Sequence, residues 1–471
     1  MLMEKVINGR LLKVFFVALI SYYFVDMAMR YQFRTAALFA LAAFVVLFFV
    51  KLEYAFYFIV VTRSLVDAYS DVGVGSVSLP IMVGGLISLL FVSYFAVCQY
   101  NVFNLRVNRI YGAFLLLCIP AVFFTHKGLV YGAGFWFRLF TGFVVLNLTV
   151  LVVLSAGEDV YKKRIRLISW SVLLSLIPPY GAFLYNFITG AYYLGAGYVR
   201  YSKFGGEMNL FSYYLMGALP FCLFFYSLTE KRPRKFLWLI FFAAYFYTIY
   251  INYTRNVWIG VFFLILTWTI LKRYFVVTYA IIGFVTLMFV LDPTVQDRLK
   301  DIFIILTSNK GFFELDPHLL SQRILIWQKN LRYFINESTF IEKLLGNGFD
   351  IRDILGATRT GRRAIEHNNY LVLLMSTGIM GVSFYMLYIL RLFRESFSLL
   401  RKTRESYFRN LAQIFIAFLV SYVIIGMGTH AIWKLTFQYF LSVFAGLVVA
   451  ANIIEERKRT GNGHARREAD I

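Results

Sequence analysis

Charge is what this 471-residue chain has least of: 15% of its residues are charged and 60% are hydrophobic. With a mean hydropathy of +0.68, this excludes an ordinary soluble domain, where about a quarter of residues are charged. Negative charge is scarcer still, at 25 Asp and Glu against 47 Lys and Arg. There are three cysteines, Cys98, Cys118 and Cys222, without a CxxC pair. That spacing indicates neither a disulfide framework nor a metal cage, and all three fall in or beside apolar runs as small fillers. No P-loop, HExxH or Asp-x-Asp occurs, and Glu314-Leu315-Asp316 is only a distant approach to the last. Nothing therefore indicates an ATP motor, a cofactor or a metal. With 8 prolines in all, the adjacent Pro178 and Pro179 stand out inside an apolar run, which they should kink.

What the chain does have is apolar runs of the length that crosses a hydrocarbon core of about 30 Å. Backbone groups in lipid must bond within their own segment, so the runs are helices. The expected fold is an all-α polytopic membrane protein with about fourteen spans. They lie near 11–29, 34–50, 53–69, 76–98, 108–125, 134–155, 166–189, 209–229, 235–253, 256–271, 274–291, 369–391, 409–427 and 431–451. The chain then divides into helices 1–11 over 1–291, one large extracytoplasmic loop over 292–368, helices 12–14 over 369–455, and a basic tail over 456–471. The first run follows Lys5 and Arg10 without a small-residue cleavage site and reads as a retained span.

Orientation follows from the basic residues. More than half of the 47 fall in one set of short loops, including 162–166, 231–235, 272–273, 391–409 and the tail. Placing those loops in the cytoplasm puts both termini there. The net charge of +22 is then a topology signal and not a nucleic-acid footprint.

Inside the large loop, SQRILIWQKNLRYFI sets Ile324, Trp327, Leu331 and Phe334 on one helical face, with Arg323, Lys329 and Arg332 largely elsewhere. Such a helix suits the outer leaflet surface, or packing against the loop's own core.

Polar islands at the ends of apolar runs are the candidate site. Arg200 lies in a Gly- and Tyr-rich loop and is followed by Lys203, Glu207 and Asn209. Arg255 sits in the short connection Tyr253-Thr254-Arg255-Asn256, and Glu366-His367-Asn368 lies where the large loop enters the next span. All fall on the extracytoplasmic side of this topology. An Arg near a span end is commonly an interfacial anchor. Two guanidiniums held near each other, however, suit a diphosphate through their planar forks. His367 is either a polar residue at a helix start or a proton acceptor working near neutral pH.

Short motifs add a resemblance. Arg200-x8-Asn209, Tyr253-Thr254-Arg255-Asn256-x-Trp258-x-Gly260, Arg323-x3-Trp327, Leu345-Gly346-Asn347-Gly348-Phe349, His367-Asn368-x-Tyr370-Leu371 and Thr377-Gly378-Ile379-x-Gly381 follow one another in order. In this order and placement the chain resembles the O-antigen ligase/polymerase superfamily of bacterial membrane glycosyltransferases, over roughly residues 195–385. Arg63-Ser64-Leu65-Val66-Asp67 resembles an early motif of that group.

The resemblance implies an inner-membrane enzyme of surface polysaccharide assembly with an extracytoplasmic active site. Its donor would be an undecaprenyl-diphosphate-linked saccharide, its acceptor a glycan or lipid-linked glycan, and its neighbours other polysaccharide-assembly proteins. Arg200 and Arg255, with Lys203, would bind the diphosphate and His367 would act at the acceptor hydroxyl. Glu366, Asn368, Asn209 and Arg323 would support them, and no metal or cofactor would be needed. Such ligases commonly have about twelve spans, so a count of about fourteen favours a polymerase-type member. The alternative is a polysaccharide or lipid-linked oligosaccharide transporter or flippase, for which the in-span Arg63 and Arg138 are the best support.

Overall fold

The computed structural model describes residues 51–459, except 69–72, 75–76, 98–100, 156–159, 196–197, 201–208, 253, 351–367, 430–431, 433–434 and scattered positions between 292 and 318. The runs expected near 11–29 and 34–50, Cys98 and the last residues of the tail lie outside the described residues.

Helix dominates. In chain order come α1 (Leu52–Ala68), the hairpin β1 (Gly73–Val74) and β2 (Val77–Ser78), α2 (Leu79–Val97), α3 (Arg106–Leu117), α4 (Ile119–Phe123) and α5 (Leu129–Leu154). Next are α6 (Tyr161–Leu174), α7 (Ile177–Thr189), the hairpin β3 (Tyr193–Gly195) and β4 (Tyr198–Arg200), α8 (Leu210–Leu228) and α9 (Arg232–Ile251). Then follow α10 (Arg255–Leu271), α11 (Phe275–Leu291), α12 (Leu319–Asn336), α13 (Phe340–Leu345), α14 (Asn369–Lys402), α15 (Ser406–Gly428) and α16 (Leu435–Arg459). The two antiparallel hairpins are departures from an all-helical chain; each is only two or three residues per strand.

Every apolar run expected from residue 53 onward falls on helix. Among the described residues, eight segments are long and apolar enough to cross a membrane, and α2, α10 and α11 supply shorter apolar helices. Pro178 and Pro179 divide one run into α6 and α7. They occupy the first turn of α7, where a missing N–H costs no helical hydrogen bond.

The centre of the bundle is the pair α5 and α16, with α10 against α15 and α14 against α15, α3 and α16. The middle of α8, from Leu210 to Phe225, is buried all round, as expected of an innermost helix. By contrast α9 and α11 expose Phe236, Leu237, Ile240, Val276, Tyr279 and Phe284. Faces that apolar suit contact with hydrocarbon.

The apolar face of α12 turns inward. Ile324 packs with Leu315 and Leu319 of its own loop, while Phe334, Trp327 and Leu331 pack with Leu371 and Met375 at the start of α14.

Charge is sorted to the two ends. At one end Glu405 bridges Lys162 at 2.7 Å and Lys458 at 2.6 Å, Arg164 meets Glu53 at 2.6 Å, and Lys402 meets Glu456 at 3.4 Å. Among the described residues, one ion pair is fully buried. Arg63 and Asp67, four residues apart on α1, are both buried and directly paired. The Asp67 carboxylate also accepts from the Tyr214 hydroxyl of α8 at 2.6 Å and from the Thr436 hydroxyl of α16, and the Tyr439 ring lies 6.0 Å from the guanidinium. One carboxylate therefore ties three helices.

Removing one member of a buried pair strands the other charge, at about 3–5 kcal/mol. Asp67→Ala should lower the thermal unfolding midpoint of the purified protein sharply. Arg63→Met combined with Asp67→Leu removes both charges and should cost less than Asp67→Ala alone. Equal losses would show that the pair is not what joins α1 to its neighbours.

Candidate functional site

At the end of the bundle opposite the Glu405 ion pairs, the connection between α9 and α10 is bonded down onto the first turn of α8. Asn252 donates through Nδ2 to the Ser212 hydroxyl, which lies 3.0 Å from that of Thr254. The Thr254 hydroxyl also approaches Asn209 Oδ1 at 3.4 Å. Ser212, Asn252 and Thr254 are buried, so these bonds face little competition from water. Thr254 is the N-cap of α10, with extended backbone, and Arg255 is the first helical residue. The polar knot thus fixes the point from which Arg255 projects.

The neighbouring residue reaches across. Asn256 donates through Nδ2 to the carbonyl of Gly428, the last residue of α15. The same carbonyl accepts from Arg323 Nη1 of α12 at 2.8 Å. A C-terminal carbonyl has no helical partner and carries the negative end of the helix dipole, so it is a natural anchor for a guanidinium. One residue on, Thr429 shares a hydrogen bond of 2.6 Å with the Tyr213 hydroxyl of α8. Four elements, α8, α10, α12 and the end of α15, therefore converge on one point.

Electrostatics identifies what is unusual here. Burial, and then the positive charge of Arg255, push Arg323 down to about 10, with Tyr213 acting in the opposite direction. A guanidinium at that value is still a cation at neutral pH. Two cations are within electrostatic reach of each other in a partly dry setting, an arrangement that a bound anion would relieve.

A second joint positions α12 and α13 beside this point. α14 is interrupted at Gly378, whose φ is +66°. Helical hydrogen bonding fails there, and the carbonyls just before the break are taken up from outside. Asn347 N–H donates to Met375 O at 2.9 Å and Gly348 N–H to Ser376 O at 3.3 Å. The fit is backbone on backbone. A Cβ on Gly346, at φ +89°, would lie 2.2 Å from Ser376 O, and one on Gly378 would lie 2.3 Å from Leu344 O. Glycine alone meets both the left-handed conformation and the close approach. The loop continues to Phe349, whose N–H donates to the Thr125 hydroxyl at 3.1 Å, and to Asp350, which accepts from Lys127 N–H at 2.7 Å.

The expected site residues divide as follows. Asn209, Arg255 and Arg323 converge on the knot and carbonyl just described. Asn368 is the N-cap of α14, accepting from Tyr370 N–H at 3.0 Å and Leu371 N–H at 3.1 Å. It belongs to the same end, because Asn369 accepts from Ile432 N–H beyond α15 and the Tyr370 hydroxyl donates to Val423 O on α15. The backbone of Arg200 closes β4, paired with Tyr193. Lys203, Glu366 and His367 lie outside the described residues.

Sequence reading did not single out Ser212 and Asn252, which build the knot, or Tyr213, which bonds Thr429. Small polar residues at helix ends carry no distinctive spacing. Asp67 was named only within the Arg63 to Asp67 motif, and its pairing follows from standing four residues from Arg63 on the same helix face.

The fold and its sorted charge define a polytopic α-helical membrane protein. No family model matches the chain, and no curated protein is significantly similar to it.

If Arg255 and Arg323 form an anion site, inorganic pyrophosphate should stabilise the purified protein against heat, less so as salt rises. A lost charged hydrogen bond of about 1.5–3 kcal/mol makes Arg255→Ala or Arg323→Ala about ten- to a hundred-fold weaker in calorimetric titration. Arg→Lys should be nearly as damaging, since an ammonium lacks the planar fork. Unchanged binding in both alanine variants would reduce the arginines to anchors.

Proposed function

We propose that the protein is a glycosyltransferase working at the Arg255 and Arg323 end of the bundle, taking its saccharide from a polyprenyl-diphosphate-linked donor. The observation that carries this reading is the guanidinium of Arg323 fixed on the Gly428 carbonyl beside Arg255. Both lie at the mouth of a helical bundle whose flanks are lipid-facing. A lipid-linked diphosphate needs that combination: a greasy approach for its tail and fixed cations for its charge.

The reaction balances without a nucleotide. An acceptor sugar hydroxyl attacks the anomeric carbon of the donor. As the new C–O bond forms, the bond from that carbon to the diphosphate oxygen breaks. The electron pair leaves with the polyprenyl diphosphate, whose growing charge Arg255 and Arg323 meet, with Arg200 and Lys203 assigned to the same diphosphate. The hydroxyl proton passes to His367, which directly precedes the N-cap of α14 at this end. Glu366, Asn368 and Asn209 support these groups. The Lys- and Arg-rich loops belong to the opposite end, and with those loops cytoplasmic the reaction would run on the extracytoplasmic side, in this reading of a bacterial inner membrane. Polymerisation of repeat units is favoured over ligation in this reading, on the count of about fourteen spans expected from the sequence.

Transport of a lipid-linked saccharide is the second reading, and the in-membrane Arg63 is the observation behind it. Asp67, Tyr214, Thr436 and Tyr439 surround that side chain, an arrangement that suits a helix tie better than a moving charge. Arg138 is likewise engaged, 4.6 Å over the Phe135 ring.

A general base contributes about 10² to 10⁴ in rate. His367→Ala should lose most of the transfer while binding donor normally, because the Asn368 cap that starts α14 is untouched. The wild-type rate should fall as pH drops below an imidazole value of about 6.5, since a protonated base cannot accept. Normal transfer by His367→Ala, or a rate flat from about pH 5 to 8, would remove His367 from the mechanism.

A further inference from the structure

The opposite end of the bundle has a cavity that saccharide transfer does not use. It measures about 390 Å³ and lies between the start of α3, the second half of α14 and the last turns of α16. Four cations, Arg106, Arg391, Arg394 and Lys402, line it against two carboxylates, Glu395 and Glu456. Those carboxylates are occupied. Glu395 is paired with Arg391 and accepts from Asn452, and Glu456 is 3.4 Å from Lys402. Arg106 and Arg394 are exposed and have no acidic partner among the described residues. The Nε of Arg391 is buried without an acceptor. The first turn of α3, which contributes Arg106 and Val107 to the wall, has no side-chain cap. The cavity is therefore positive by about two charges, with donors unspent inside it.

What lies next to it indicates the ligand. A groove of about 610 Å³ shares Arg394, Ser398 and Lys402 with the cavity and is otherwise lined by Leu390, Phe393, Phe397 and Arg401. Leu387, Leu390 and Phe397 are exposed along the same helix. On the segment of α14 beyond Gly378 the exposed Leu387 and Leu390 are followed by Arg391, Arg394, Arg401 and Lys402, so the edge of the hydrocarbon falls near Leu390. The cavity is thus at headgroup depth and the apolar lane leads from it into the hydrocarbon. A soluble anion would leave the lane empty, and an acidic peptide would leave the in-membrane part unused. A headgroup with an ammonium would meet Arg106 and Arg394 with like charge.

We infer that this cavity and lane form a site for an anionic phospholipid. Its phosphate sits among Arg106, Arg391 and Arg394, and an acyl chain runs from Phe397 at headgroup depth back past Leu390 to Leu387 in the hydrocarbon. The inference is independent of the reaction at the far end and requires only that the helices stand in a bilayer. Basic pockets between spanning helices hold anionic headgroups for the same electrostatic reason.

The test uses the full-length protein in nanodiscs of phosphatidylcholine, with or without phosphatidylglycerol. Retained lipid is read by native mass spectrometry and stability by the unfolding midpoint. Phosphatidylglycerol should be retained and should raise the midpoint. Arg106→Gln with Arg394→Gln should bind it about 25-fold more weakly, at about fivefold per arginine near an anionic surface. Arg232→Gln with Arg404→Gln, two exposed arginines outside the cavity, should bind as the wild type does. Equal binding by the two double variants would overturn the site. So would a full stability shift with soluble glycerol 3-phosphate in plain phosphatidylcholine, which would make the cavity a free-anion site.

Discussion

Two like charges held together are the constraint around which one whole end of this bundle is arranged. Arg255 and Arg323 repel, and bringing them out of water sharpens the repulsion. What opposes it is a set of backbone and amide contacts. The carbonyl that ends α15 receives Arg323 and Asn256 together, and the Asn252, Ser212, Thr254 and Asn209 knot fixes the neighbouring turn. The loop helix α12 can only bring Arg323 to that carbonyl because its apolar face packs on α14 and its connection is pinned by the glycine joint at Gly346 and Gly378. Loss of any of these supports would let the two cations separate.

The same dielectric argument explains the rest of the charge distribution. Ions are gathered where water can reach them, in the Glu405 network at one end and the arginine site at the other. Inside the bundle, Arg63 with Asp67 is paired and hydrogen-bonded, with the Tyr439 ring 6.0 Å away, which is the condition under which a buried ion pair persists. It holds α1 against α8 and α16, and so stabilises the scaffold beneath the arginine site without belonging to it.

Much of the scaffold was legible in the sequence, because the length of an apolar run and the position of a proline pair are local facts. The runs near 134–155 and 409–427 became α5 and α15, and Pro178 and Pro179 became the start of α7. The site was legible only in part. Arg255 could be singled out because its connection is short, but Arg323 is brought beside it by the carbonyl of Gly428, which it shares with the next residue, Asn256, and a backbone oxygen has no sequence signature. The segments Leu345-Gly346-Asn347-Gly348-Phe349 and Thr377-Gly378 were visible as separate motifs. That they are two halves of one joint depends on pairings such as Asn347 with Met375, across a span no periodicity records. The inward turn of the α12 apolar face was equally hidden: an amphipathic pattern specifies that a face is buried, not what buries it.

The central claim is that this end of the bundle performs chemistry on a lipid-linked diphosphate sugar instead of moving it. The most direct measurement reconstitutes the protein in liposomes with a synthetic polyprenyl-diphosphate oligosaccharide carrying a fluorescent sugar, and follows both product length and leaflet location. The account predicts longer saccharide products and released polyprenyl diphosphate, both lost when Arg255 and Arg323 are replaced together by alanine. Redistribution of intact donor between leaflets, with no new glycosidic bond, would contradict it.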